Sequence, residues 1–71
     1  MEIQNLVRMA NRIGDFFDAM PDRQEALEGI AGHIKRYWEP RMRTAIRAHI
    51  EAGGEGLSEI VLQALREHLP A

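Results

Sequence analysis

The feature that most constrains this chain is Pro40, which comes directly after a segment with helical periodicity. Apolar residues spaced by three and four run from Leu27 to Tyr37, and Trp38, Glu39 and Pro40 come next. Proline lacks a backbone N–H and moves the preceding residue away from helical angles, so a helix that arrives here must end near Glu39. Because proline is favourable at the first position of a helix, a new helix is predicted to begin at Pro40. The Trp-Glu-Pro segment is therefore predicted to form an elbow between two helices.

The rest of the sequence shows helical periodicity on both sides of the elbow and no alternation typical of a strand. Pro21 closes a first amphipathic segment, and Asp22 with Glu25 three residues later has the pattern of an N-terminal capping box. A glycine-rich run separates the third segment from the fourth, where Ser58 is predicted to be the N-cap. These signals predict an all-α fold, a small bundle of three to four short helices in one domain over residues 1–71, with helices at about 3–19, 23–37, 40–52 and 59–69.

The chain is short and carries no covalent staple. Its 71 residues include no cysteine, which excludes disulfides and thiolate zinc sites. The core of so small a domain rarely supplies more than about 3–5 kcal/mol, so a partner subunit is the expected source of further stability. No apolar run is long enough to span a membrane and no signal-peptide pattern is present, so a cytoplasmic location without membrane contact is expected.

Two features of the first two helical segments bear on packing. Apolar side chains cover about half the circumference of the first segment, more than the roughly 100° stripe that faces a single core. Met9 and Phe16 lie at one edge of this arc, which fits a central helix and an intermolecular contact equally well. Gly29 and Gly32 lie inside the second segment, where each costs about 1 kcal/mol relative to alanine. Phe16 or Phe17 is the candidate for a ring that packs against this flank.

Basic residues cluster around the elbow. Residues 35–47 contain five basic groups and one acidic group, a local charge of +4 on a chain whose net charge is −2. The arginines of this cluster are predicted to pair with acidic groups of another molecule. Trp38 either fills the space beside the two glycines or, as the favoured alternative, inserts into a partner, since Tyr37 and Trp38 cannot both face inward from one helix. Met9, Phe16 and Trp38 are therefore expected to be exposed, and the predicted partner-binding residues are Met9, Phe16, Tyr37, Trp38, Arg41, Arg43 and Arg47.

No residue pattern indicates catalysis. The three histidines are separated by sixteen and nineteen residues, unlike metal-binding pairs. The aspartates near the end of the first segment lack the glycine and terminal glutamate of a calcium loop. The glycine-rich run at 53–56 follows no strand and precedes no lysine, unlike a phosphate-binding loop. No catalytic, cofactor-binding or metal-binding residue is predicted, and the chain is not expected to be an enzyme by itself.

Two segments, Leu6–Phe17 and His33–Arg43, resemble the small delta subunit of NAD-dependent, molybdenum-containing formate dehydrogenases. The likeness extends over nearly the whole chain, and the run from Trp38 to Arg43 is its most specific part. The family often has Phe-Trp-Asp-Pro at this place, so Tyr37 and Glu39 are mild departures. The resemblance implies a cytoplasmic accessory subunit that binds no cofactor itself and assembles or stabilises a hetero-oligomer. The large catalytic subunit would hold the molybdopterin cofactor, and iron–sulfur clusters and flavin would lie on other subunits.

Two alternatives remain open from the sequence. The first is a transient chaperone that assists insertion of the molybdenum cofactor and then leaves. The second is a small helical nucleic-acid-binding module, since two helices joined at an elbow with nearby arginines superficially resemble a helix-turn-helix. Its acidic flanks and its net charge of −2 argue against the second, because such modules are more often basic throughout. The favoured partner is the large catalytic subunit of a formate dehydrogenase complex.

Overall fold

The computed structural model describes residues 2–69, which form four α-helices. No strand occurs within this range, so the predicted all-α bundle is confirmed. Met1 and residues 70–71 of the predicted domain lie outside the described residues. In chain order the helices are α1, Ile3–Asp18; α2, Arg23–Tyr37; α3, Pro40–Glu51; and α4, Glu59–His68.

Helix α1 contacts all three other helices, whereas helix α2 takes part in the most extensive contacts of the bundle. It makes its most extensive contacts with α4 and with α1. The fully buried residues of helix α1 are Leu6, Ala10 and Gly14, which lie on one side of the helix. The largest fully buried side chains come instead from the other three helices: Leu27, Ile30 and Ile34 of α2, Ile46 of α3, and Val61 and Leu65 of α4. Four more apolar residues of α1 pack against the core while partly exposed: Ile3, Val7, Ile13 and Phe17. The apolar arc is thus left uncovered at the edge that carries Met9 and Phe16.

Between α2 and α3 the backbone leaves the helical conformation for two residues. Trp38 has φ −86° and ψ 139°, and Glu39 has φ −66° and ψ 154°, which are extended angles. Pro40 is the first residue of α3. The clash with the proline ring requires an extended residue before proline. Helices α2 and α3 are therefore separate, and Trp38 and Glu39 connect them.

The N-termini of α2 and α4 make different hydrogen bonds. At α2 the Asp22 carboxylate accepts a hydrogen bond from the Glu25 N–H at 3.1 Å, as the capping pattern predicts. Ser58 occupies the N-cap position of α4, but its hydroxyl makes no capping hydrogen bond. The predicted N-cap position of Ser58 is therefore confirmed, without the side-chain hydrogen bond that usually accompanies it. The Ser58 N–H is instead bound by a residue of α1, Asn11, whose Oδ1 accepts from it at 3.0 Å.

Asn11 also holds the loop that leads into α4. Its Nδ2 donates to the Gly56 carbonyl at 2.9 Å, two residues before Ser58. Gly56 has a φ of +89°, a left-handed conformation that glycine adopts at little cost. One amide side chain thus makes both a donor and an acceptor contact with the loop, and fixes the start of α4 against α1.

Candidate partner-binding surface

Three large apolar side chains are exposed on the bundle. Phe16 is 73% exposed, Tyr37 66% and Met9 42%. The predicted exposure of Met9 and Phe16 is confirmed. These two residues are seven apart, close to two helical turns, and so lie on the same side of α1. Exposed aromatic area of this kind is a common mark of a protein contact.

Trp38 does not belong to the exposed set. It is 5% exposed and is part of the buried core, so the prediction of an exposed Trp38 is wrong. The prediction treated Tyr37 and Trp38 as neighbours on one helix, which cannot both face inward. In the structure the Trp38 N–H still bonds to the Ile34 carbonyl at 3.0 Å. Trp38 therefore lies four residues after Ile34 on the buried side of α2, whereas Tyr37 remains outside.

Two arginines of the predicted set are directed into the chain. Arg43 Nη1 donates to the carbonyl oxygens of Trp38 at 2.7 Å and Lys35 at 3.2 Å, at the C-terminal end of α2. These contacts satisfy carbonyl groups that have no partner within the helix, and place a positive charge at the negative end of its dipole. Arg43 is thus engaged by carbonyl groups of its own chain, and its pairing with an acidic group of another molecule stays a prediction.

Arg47, one turn further along α3, does the same for α4. Its Nη1 donates to the Leu69 carbonyl at the end of that helix, and its Nε lies 3.8 Å from Glu51 Oε2. Arg43 and Arg47 thus join α3 to the C-terminal ends of two other helices. Of the three arginines predicted to face outward, the exposed one is Arg41.

Aromatic side chains form a continuous face across α1 and α2. The ring centroids of Phe16 and Phe17 are 5.0 Å apart in an edge-to-face arrangement. Phe17 packs on Gly29, where an ideal Cβ would lie 2.4 Å from the ring, which confirms the prediction of a phenylalanine against this flank. Further along α2, the rings of His33 and Tyr37 are 4.8 Å apart. We call Phe16, Phe17, His33 and Tyr37 the aromatic face.

A groove of about 340 Å³ runs along this face, lined by Phe17, Gly29, Gly32, His33, Arg36 and Tyr37. Gly32 differs from Gly29 in its surroundings. A Cβ added at Gly32 would have no heavy atom within 4 Å, so the helix is bare at this point and its backbone is open to an approaching group.

Three exposed cations lie close to the elbow between α2 and α3. Lys35 and Arg36 lie in the last turn of α2, Arg41 in the first turn of α3, and all three are exposed. Over residues 2–69 the ion pairs are Arg23 with Asp18, Arg47 with Glu51, and His68 with Glu67, so none involves these three cations. Of these three, Arg36 lines the groove along the aromatic face.

Other polar side chains of the described residues serve the fold. His49 Nε2 lies 2.7 Å from the Glu55 carbonyl oxygen, at the loop before α4. Within residues 2–69 no cluster of three or more histidine, aspartate or glutamate side chains is arranged to hold a metal ion. No helix in that range is long and apolar enough to cross a bilayer.

The fold and this surface define a small all-α protein whose distinctive exposed feature is an aromatic face with a groove that Arg36 also lines. Residues 5–65 match the family described as NADH-dependent formate dehydrogenase delta subunit FdsD, and this match covers more than half of the chain. The chain belongs to that family, which confirms the resemblance carried by the elbow sequence. No curated protein and no solved structure matches the chain.

Proposed function

We propose that this chain is a non-catalytic accessory subunit of a cytoplasmic, molybdenum-containing, NAD-dependent formate dehydrogenase complex. In this role it binds the large catalytic subunit and stabilises the complex or helps it to assemble. Membership of the delta-subunit family supports the identity of the complex. The observation that carries the binding role is the exposure of Phe16 and Tyr37, two of the four aromatic residues in the chain.

Exposing these side chains is costly for a domain with so small a core. Phenylalanine and tyrosine bury large apolar areas, and at protein interfaces they contribute most to affinity when they are surrounded by a rim that excludes water. If Phe16 and Tyr37 served only this chain, burying them as Trp38 is buried would add to its stability. Their position outside favours a surface that is completed by another protein.

A non-catalytic role fits the use of the polar side chains. Asn11, Asp22, Arg43 and Arg47 are engaged in hydrogen bonds that hold helix ends or a loop. In this proposal the chain itself binds no cofactor, and the molybdopterin cofactor, iron–sulfur clusters and flavin belong to other subunits. Its contribution to the reaction is the stability of the subunit that it binds.

Co-purification tests the proposed function. The chain is co-expressed with the affinity-tagged large catalytic subunit, and the purified complex is quantified by its subunit ratio and molybdenum content. A constant ratio of the two chains, independent of molybdenum content, is expected for a subunit. Recovery of the large subunit without this chain overturns the proposal. Recovery only when molybdenum is absent supports the transient chaperone in its place.

The nucleic-acid alternative has its own measurement. Phosphate contacts release counterions, so the affinity of a nucleic-acid-binding module falls steeply as salt rises. A gel-shift titration of the free chain with duplex DNA and structured RNA at several salt concentrations is expected to show no salt-sensitive complex. A complex that is tight at low salt and lost at high salt would favour the nucleic-acid module instead.

A further inference from the structure

We propose that the aromatic face is the docking site for an apolar helix of the large catalytic subunit that carries carboxylates along one edge. This helix crosses α2 at Gly32, with Phe17 and Tyr37 on either side and the carboxylates against Arg36. The inference rests on the proposed function and deepens it, because it assigns the contact to one side of the bundle and states the chemistry of the occupant.

The first support is the continuity of the face. Phe16 packs against Phe17, Phe17 packs on Gly29, and the groove continues from there to His33 and Tyr37. Aromatic rings therefore line the groove beside Gly29 and beside His33, and the exposed Phe16 adjoins the first of them. An amphipathic helix is suited to such a groove, because side chains at three- and four-residue spacing can contact both ends.

The second support is the bare helix surface at Gly32. A glycine inside a helix lowers stability relative to alanine, and internal close contacts explain the other two helical glycines. Gly14 faces Val61, with an ideal Cβ 2.6 Å from its Cγ2, and Gly29 faces Phe17. Gly32 has no neighbour within 4 Å, so nothing in residues 2–69 accounts for its missing side chain. A helix that packs closely across this point would do so.

The third support is charge complementarity. The chain is net acidic, yet Arg36, which lines the groove, and its neighbour Lys35 are exposed and pair with no described acidic group. Arg41 adds a third exposed cation in the first turn of α3. Groups of this kind at the border of an apolar contact chiefly select partners of opposite charge and speed their association. The occupant is thus expected to be apolar in the centre and acidic at the border.

Two substitutions test the apolar part, with the full chain and the purified large subunit as binding partners. Tyr37→Ala is expected to raise the dissociation constant roughly 30-fold, as for an interface residue of high energetic weight. Gly32→Ala is expected to raise the melting temperature of the free chain through helix propensity, yet to weaken binding about tenfold or more. Thr44→Ala, at an exposed position of α3, is the matched control that improves helix propensity away from the groove.

A charge-reversal pair tests the basic part of the site. Arg36 lies in the last turn of α2 and Arg66 in the last turn of α4, and both are exposed, so replacing either by glutamate has the same unfavourable effect on a helix end. Arg36→Glu is expected to slow association about tenfold at low salt, with a smaller effect at high salt. Arg66→Glu is expected to leave the association rate unchanged.

The outcomes separate the two proposals. If the wild-type chain does not bind the large subunit, the proposed function fails. If the wild type binds and Tyr37→Ala, Gly32→Ala and Arg36→Glu all bind with wild-type constants while remaining helical, the docking site is overturned and the proposed function stands. Sedimentation velocity of the free chain is expected to show a monomer. A dimer that Tyr37→Ala dissociates would assign the face to a second copy of this chain and overturn the heteromeric contact.

Discussion

The ring of Phe17 occupies the space in which Gly29 would carry a side chain. An ideal Cβ at Gly29 would lie 2.4 Å from Phe17 Cε1, closer than such contacts occur. This approach brings α1 against the centre of α2 and leaves the adjacent Phe16 outside, where its ring stacks edge-on against Phe17. The position of the exposed aromatic residue is thus a consequence of one glycine in the facing helix.

The two glycines of α2 are predicted to respond to alanine in opposite directions. Gly29→Ala forces the Phe17 ring to move and is expected to lower the free energy of unfolding by about 1–3 kcal/mol, the usual cost of overpacking. Gly32→Ala meets no atom within 4 Å and is expected to raise it by up to about 1 kcal/mol, the difference in helix propensity. Urea unfolding followed by circular dichroism measures both. Equal shifts in the same direction would contradict this description of the helix.

Asn11 is predicted to be the polar side chain that contributes most to the position of α4. Asn11→Ala removes a donor to the Gly56 carbonyl and an acceptor for the Ser58 N–H, and is expected to cost about 1–3 kcal/mol if these groups remain without partners. Asn11→Asp keeps only the acceptor, so its free energy of unfolding should lie between those of the wild type and Asn11→Ala. Asn5→Ala is the control, because the described contact of Asn5 is with the neighbouring Arg8. If Asn11→Ala lowers the free energy of unfolding no more than this control, water replaces the two hydrogen bonds of Asn11.

Much of the helical framework follows from local sequence signals. Pro40 starts α3 and Asp22 caps α2, and both effects act within a few residues of their source. Periodicity likewise identifies the buried stripe of α2, since Leu27, Ile30 and Ile34 are all fully buried. Such signals report the ends and faces of one helix, and these are what the sequence predicts well.

Contacts between distant parts of the chain could not be predicted in this way. Asn11 binds a backbone group 47 residues away, although on α1 alone it is an ordinary polar-face residue. Arg43 and Arg47 appear as surplus charge because their acceptors are backbone carbonyls, which sequence-level charge counting ignores. Trp38 is different, because its four-residue spacing from the buried Ile34 places it on the buried side of α2, and helical periodicity alone carries that signal. The sequence does place Asn11 on the polar face of α1 and does show a glycine-rich loop before α4. These two features are too general to identify a contact between them.

Arg43 is predicted to stabilise the fold, whereas Arg41 is not. Arg43→Ala removes a charged donor from the Trp38 and Lys35 carbonyls and is expected to cost about 1–2 kcal/mol, with Arg43→Lys in between because an ammonium lacks the planar fork. Arg41→Ala should change stability by less than about 0.5 kcal/mol, as at most exposed positions. Thermal unfolding of the three variants gives the comparison. Identical melting temperatures for Arg41→Ala and Arg43→Ala would remove the capping role.

The adjacent aromatics of the elbow are predicted to separate fold from binding. Trp38→Ala leaves a large cavity in the core and is expected to cost about 3–5 kcal/mol, enough to unfold so small a domain. Tyr37→Ala, at a position that is 66% exposed, should keep the helical circular dichroism signal while binding weakens. A Trp38→Ala chain that remains fully helical and cooperative would show that its buried indole contributes little.

The free chain is predicted to be marginally stable and to gain much of its stability on assembly. The fully buried part of α1 is a narrow strip of Leu6, Ala10 and Gly14, its other core contacts are only partly buried, and Met9 and Phe16 are outside. A partner that binds only the folded form adds RT ln(1 + [L]/Kd), about 4 kcal/mol at a thousandfold excess over Kd. That gain is comparable to the whole stability expected of a domain this size. In the complex, the amides of α1 should therefore show the largest increase in protection from hydrogen exchange. Cooperative melting of the free chain above about 70 °C, beyond the usual mesophilic range, would refute the prediction and mark the narrow strip on α1 as sufficient by itself.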